Sequence, residues 1–209
     1  MLALTLALSS TAHAQDGAAG ARTWQLDPSA STVYVLVKHD PTTALAGMAH
    51  DHTVAATGWT GTVVWDPANP AACQVDIQVP VAGLVIDPPG LRQRAGLEGE
   101  TEDSDKTKIS DNMWGSRQLE KDRFPTISFR STSCSGTGPT YAVAGQMSVH
   151  GVSQAVTAQM TIRADDGGFS ASGKLPSKAS AWGFEPFTAA MGMVRNLDEL
   201  QFTIDVKGR

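Results

Sequence analysis

The clearest periodic signal in the chain is a strict alternation in which Val75, Ile77, Val79 and Val81 face Gln74, Asp76, Gln78 and Pro80. A strand with one buried and one wet face is the reading, continued to Ile86 and stopped by Asp87-Pro88-Pro89-Gly90, whose prolines have no place in a central ladder. Upstream, residues 32–38 (Thr-Val-Tyr-Val-Leu-Val-Lys) are dense enough in β-branched and aromatic side chains for a strand covered on both faces. A second strand is expected over residues 61–66. Downstream, Ile127 and Phe129 alternate with Ser128 and Arg130, and Tyr141, Val143, Met147 and Val149 with Ala142, Ala144, Gln146 and Ser148. The turn-like stretch at residues 150–154 then passes inward parity to Val156, Ala158, Met160 and Ile162, which makes a hairpin. Asp165-Asp166-Gly167-Gly168 predicts the next turn, a strand follows over residues 169–175, and Leu200, Phe202, Ile204 and Val206 form the last.

The alternation disappears over residues 91–124. Glu98, Glu100, Glu102, Asp103 and Asp105 lack the ligand order and closing glutamate of a calcium loop, so they read as a solvated loop feeding the acidic first turn of a helix. That helix is expected over about residues 105–119, with Ile109, Met113 and Trp114 on one stripe and Arg117 and Lys121 near its end.

About eight antiparallel strands with one inserted helix are more economical as a closed barrel than as an open sheet, because closure removes unpaired edges. The expected fold class is all-β: an antiparallel barrel of about eight strands with one inserted helix. Such a barrel is filled by its own side chains or holds one small or elongated ligand.

Composition narrows the function classes. With 16 basic against 21 acidic residues in 209, net charge -5, and no basic run, the footprint for nucleic acid is missing. Only 6% of residues are aromatic, so large side chains for filling a barrel are scarce. Residues 1–14 form a short apolar run ending in Ala12-His13-Ala14, the small-x-small pattern of a signal-peptidase site, which gives a mature start near Gln15 and a flexible N-terminus over residues 15–23. No segment approaches the ~20 apolar residues of a transmembrane helix. The expected location is periplasmic or secreted. In that setting Cys73 and Cys134, each at the end of a strand-like run, are read as a disulfide closing a loop of about 62 residues.

The order of motifs resembles the YceI-like family of bacterial periplasmic polyisoprenoid-binding proteins. The resemblance rests on Trp24-Gln25-Leu26-Asp27-Pro28-Ser29, on Arg123-Phe124-Pro125-Thr126-Ile127-Ser128-Phe129-Arg130-Ser131 and on Ala144-Gly145-Gln146-Met147-Ser148-Val149-His150-Gly151-Val152, and it covers residues 24–206 within a domain of residues 24–209. It implies an extended, lipocalin-like antiparallel eight-stranded barrel with a helix near its mouth, enclosing a long apolar chain: an isoprenoid, a quinone or a fatty-acid or amide-like lipid. Wall positions are then Val75, Ile77, Val79, Met113, Trp114, Phe129, Val143, Met147, Val149, Met160 and Phe202. Head-group or rim positions are His50, His52 and Arg117.

Two departures from the common form stand out. Ser110-Asp111-Asn112-Met113-Trp114-Gly115 replaces an Arg-Asp-x-His-Leu segment, and Ala49-His50-Asp51-His52 looks like a branch with a His-Asp-His motif. On a strand His50 and His52 would share a face, so an alternative reading is a zinc or copper module with His39, His150 or Asp40 as third ligand and an association with redox chemistry. No cofactor is required by the carrier reading. A hydrolase is disfavoured: there is no Gly-x-Ser-x-Gly elbow and no evident carboxylate pair, and the expectation is not an enzyme. The sequence leaves a homodimer open.

Overall fold

The computed structural model describes residues 20–209, so the expected signal peptide lies outside the described residues. Among the described residues there are twelve strands: β1 (Arg22–Gln25), β2 (Thr32–His39), β3 (His52–Ala56), β4 (Thr60–Trp65), β5 (Gln74–Pro80), β6 (Leu84–Ile86), β7 (Thr126–Thr137), β8 (Thr140–Val149), β9 (Val152–Asp165), β10 (Gly168–Lys178), β11 (Thr188–Ala189) and β12 (Val194–Gly208). Two helices interrupt them, α1 (Leu91–Arg94) and α2 (Asp103–Trp114). Arg22 and Thr23, expected in a flexible N-terminus, already pair with Trp65 and Val64 in β4, held there by the buried Trp24 and Leu26 that follow.

All the strand pairings are antiparallel, and they resolve into eight staves. β1 and β2 follow one another along one stave with a bend at residues 26–31, β3 and β4 share the next, and β5 and β6 the third. The remaining five staves are β7, β8, β9, β10 and β12. The last residues of β12 return to the first stave, where Gln25 and Arg209 exchange two backbone hydrogen bonds of 3.0 Å and Leu26 bridges Gly208. The sheet closes on itself, as the expected eight-stranded barrel does, and the difference in strand number comes from the three bent staves and from β11, a two-residue strand that pairs with β12 outside the ring.

The apolar alternation concealed one of those bends. The apolar run continues to Ile86, yet Val81–Gly83 is a single 3₁₀ turn that separates β5 from β6 and moves the inward positions from Val79 and Val81 to Leu84 and Ile86. Gly83 is required there: a Cβ would stand 2.3 Å from the Thr57 carbonyl oxygen, which faces it at the bend between β3 and β4.

β7 carries a bulge between Ser131 and Ser133, where the extra residue inverts the alternation. Ile127 and Phe129 face inward before it and Cys134 after it, which brings Cys134 to Cys73 in a disulfide with Cα atoms 6.0 Å apart and 61 positions between the partners. The β8–β9 connection is tighter than the sequence suggested. His150 and Gly151 both have positive φ, 51° and 74°, the geometry of a two-residue type I′ hairpin.

α2 begins at Asp103, and its first-turn carboxylates Asp103 and Asp105 complement the helix dipole as expected. It ends five residues earlier than the expected Leu119, because Gly115 terminates it and donates its N–H to the Asn112 carbonyl at 3.2 Å. Arg117 and Lys121 therefore lie beyond the helix. Lys121 Nζ sits 4.3 Å above the Trp114 ring.

The long connections at residues 40–51, 87–125 and 179–193 all leave one end of the barrel, its mouth. The opposite end holds the disulfide, the β4–β5, β7–β8 and β9–β10 turns and the β1–β12 closure, while the two-residue β8–β9 turn lies at the mouth end. β2 is covered on both faces as its composition implied: Val33, Val35 and Val37 face the interior, while Tyr34 packs outside with Ala55 and Leu91 of α1.

Candidate functional site

The barrel is hollow. A cavity of ≈ 600 Å³ runs inside it, within the ~300–1,000 Å³ range of small-molecule sites. Its walls are the inward positions of the staves, several of them small, such as Ala158 and Ala171, or short and branched, such as Val75 and Val143. Trp59, Trp65 and Trp182 also border it.

Among the positions expected on the wall, Val75, Ile77, Val79 and Phe129 line the cavity from β5 and β7, and Val143, Met147 and Val149 from β8. Met160, Phe202 and Met113 join them from β9, β12 and α2. Trp114 does not. Its indole N–H donates to the Val81 carbonyl at 3.1 Å, and the ring packs over the bend between β5 and β6. Phe129 reaches its place because residue 145 is glycine; a Cβ there would lie 2.5 Å from the phenyl ring.

α2 lies across the mouth. Ile109 and Met113 present their side chains to the cavity, and Asp105, Lys108 and Asn112 stand at its rim. Lys108 donates to Asp105 at 2.8 Å. That hydrogen bond is the largest influence holding the Asp105 carboxyl below its usual range, with lesser contributions from His50 and His52. The 179–193 connection adds Phe184, Pro186 and Phe187 to the lining. The 40–51 connection is tied to β12 by Asp40, which accepts from Thr42 (Oγ1 at 2.6 Å, N at 2.9 Å) and from Arg195. These bonds, Thr42 first, lower its pKa to about 2.

The structure separates His39, His50 and His52 of the metal reading. β3 starts at His52, so His50 lies in the preceding connection, exposed at the rim and lining the mouth. His39 ends β2 and is not part of the lining. Its Nδ1 pairs with Asp51 Oδ1 at 2.6 Å, and Asp51 also accepts the His39 backbone N–H at 3.0 Å. Among the described residues no three His, Cys, Asp or Glu side chains converge as metal ligands. Arg117 is exposed on the turn after α2, away from the lining, where Gln118 stands instead.

The most constrained group at the mouth is Asp87, which the sequence pattern marks only as a strand stop. It is fully buried, beside the segment of residues 88–101, which packs Leu91 on the outer face of β2 and β3. Oδ1 accepts the Thr53 N–H at 2.7 Å and the Thr53 hydroxyl at 2.9 Å. Oδ2 pairs with His52 Nδ1 at 2.6 Å and accepts from Thr101 Oγ1 at 2.7 Å and Arg92 Nη1 at 3.2 Å. Burial alone would raise its pKa, but the hydrogen bonds from His52, Thr101 and the Thr53 backbone outweigh it and hold the carboxyl well below the usual range. Arg92, also buried, spends its other donors on the Asp51, Glu98 and Gly99 carbonyls. The only available signal was register: Val54 pairs with Ile86, which sets Thr53 opposite Asp87.

The YceI-like domain family matches residues 24–207. Among solved structures, Burkholderia cenocepacia BcnA is similar, at 20% identity over 88% of this chain and 99% of that one, with a TM-score of 0.65. The Campylobacter jejuni YCEI protein is similar at 14% identity over 74% of this chain and 82% of that one, TM-score 0.52. A mutant of the Campylobacter protein, solved with a monobromobimane guest, aligns at 12% identity over the same shares, TM-score 0.55. At these identities the likeness is one of fold. Among curated proteins none matches the chain.

Proposed function

The chain belongs to the YceI-like domain family, and from that premise we propose that it is an exported binding protein that sequesters or carries a long apolar molecule inside its barrel, an isoprenoid, quinone or fatty-acid or amide-like lipid. The observation that carries the reading is the continuous apolar lining of the ≈ 600 Å³ cavity. Each buried methylene contributes about 0.8 kcal/mol, so a ten-carbon chain gains roughly 8 kcal/mol before ordering costs, with no reactive group needed. Export is supported by the Cys73–Cys134 disulfide, which persists in an oxidising compartment. No helix among the described residues is long and apolar enough to cross a membrane.

The test is to purify the protein from its periplasmic fraction, extract it with organic solvent and identify the extract by mass spectrometry. One long-chain apolar molecule per protein is the expected result. An extract empty of such molecules, together with no binding of added long-chain probes, refutes the reading.

A further inference from the structure

This inference rests on the carrier reading and concerns the polar end of the ligand. The Asp87 carboxylate is surrounded by donors on both oxygens, Thr53 on one and Arg92 and Thr101 on the other, so it acts as an acceptor only. The ring nitrogen beside it, His52 Nδ1 at 2.6 Å, must then be the donor. In the neutral imidazole this leaves Nε2 with a lone pair. Nε2 makes no hydrogen bond among the described residues, and it lies on the ring edge opposite Asp87, on a side chain 18% exposed that borders the cavity.

We propose that His52 Nε2 is the hydrogen-bond acceptor for the ligand's head, so that the cavity selects neutral long-chain molecules whose polar end donates a hydrogen bond, a hydroxyl or an amide N–H. An ether or ester of the same chain has no proton to give. A carboxylate would set lone pairs against a lone pair and lose its hydration with no cation to meet it: Arg92 is committed to Asp87 and three carbonyls, and Lys108 to Asp105. Asp87 acts only through His52 and is a positioning residue.

Intrinsic fluorescence reads occupancy, because Trp59, Trp65 and Trp182 border the cavity. The mature protein, stripped of endogenous ligand, is titrated with 1-decanol, decyl methyl ether and sodium decanoate. One hydrogen bond of about 0.5–1.5 kcal/mol corresponds to roughly 2–13-fold tighter binding of the alcohol than of the ether. His52→Leu removes the preference, bringing the affinities of alcohol and ether together; Asp87 Oδ2 keeps Arg92 and Thr101 in this variant. A second readout needs no variant: in ¹⁵N-histidine-labelled protein the His52 Nε2 resonance moves on adding decanol and not on adding the ether. Equal affinities in the wild type, a preference that survives His52→Leu, an unmoved Nε2 resonance, or tightest binding of decanoate overturns the proposal and leaves the carrier reading standing. Failure of all three probes to bind overturns both.

Discussion

Replacing Asp87 by alanine removes a carboxylate that receives the Thr53 amide and hydroxyl, the Thr101 hydroxyl, the His52 ring and the Arg92 guanidinium. What remains is a guanidinium only 7% exposed without its counter-charge and several donors without acceptors. Removing one partner of a buried ion pair costs about 3–5 kcal/mol, most of it the penalty of the abandoned charge. Against a total stability of ~5–15 kcal/mol this is a large fraction. With a urea dependence of about 2 kcal/mol per M, the unfolding midpoint falls by about 2 M. Asp76→Ala is the internal comparison. Its partner Arg130 is 77% exposed, and such a surface pair contributes about 0–1 kcal/mol. Urea titration of both variants with the disulfide intact measures the difference, and midpoints for the two that agree within experimental error refute the view that residues 88–101 are anchored through this carboxylate.

Three further outcomes are expected. Replacing Cys73 and Cys134 by serine frees a loop with 61 positions between the partners, which the chain-entropy relation values at about 4 kcal/mol; thermal unfolding of the double variant reads the loss, and an unchanged midpoint contradicts it. Asp40 has a folded pKa lowered to about 2, so the stability it contributes is present above the ordinary carboxyl value of about 4 and is lost as pH falls towards 2. The stability difference between wild type and Asp40→Asn is therefore flat from about pH 5 to 7 and disappears in that acid window; a difference that already shrinks on going from about pH 7 to 6 assigns it to another group. Ala158→Trp places an indole in the cavity and weakens decanol binding by more than ~10-fold, which the fluorescence titration detects, with circular dichroism to verify that the barrel still forms.

The parts of the molecule legible in the sequence are those whose cause is local. Val75, Ile77 and Val79 announce their faces by period, the acidic residues before α2 announce its start, and His150-Gly151 announces a hairpin. The end of α2 is not legible in this way, because residues 116–119 carry no further breaker and Gly115 alone stops the backbone. The bends between half-staves were hidden because Val81 and Leu84 are as apolar as the strands they interrupt. Asp87 stands in an Asp-Pro-Pro-Gly stretch that reads as a strand stop, which it is. Its second role depends on Thr53, 34 positions away, and no periodicity carries that information. The His50/His52 pair looked like a unit on a strand; with β3 beginning at His52, only one of the two is held by a buried partner.

Placing the crosslink and the strand closure at one end, and the long connections at the other, also separates what this protein can change from what it must keep. Residues 44–49 and 184–187 contribute to the rim without supplying a stave, so their length and composition are free to drift, or to be grafted from elsewhere, while the ladder beneath still assembles. Residues 88–101 are not interchangeable in that way, because they carry Arg92 and Thr101 to Asp87. A library aimed at new ligands would therefore vary the first two segments and leave the third untouched, and the end near Cys73 and Cys134 offers a place to attach a surface or a label farthest from the entrance.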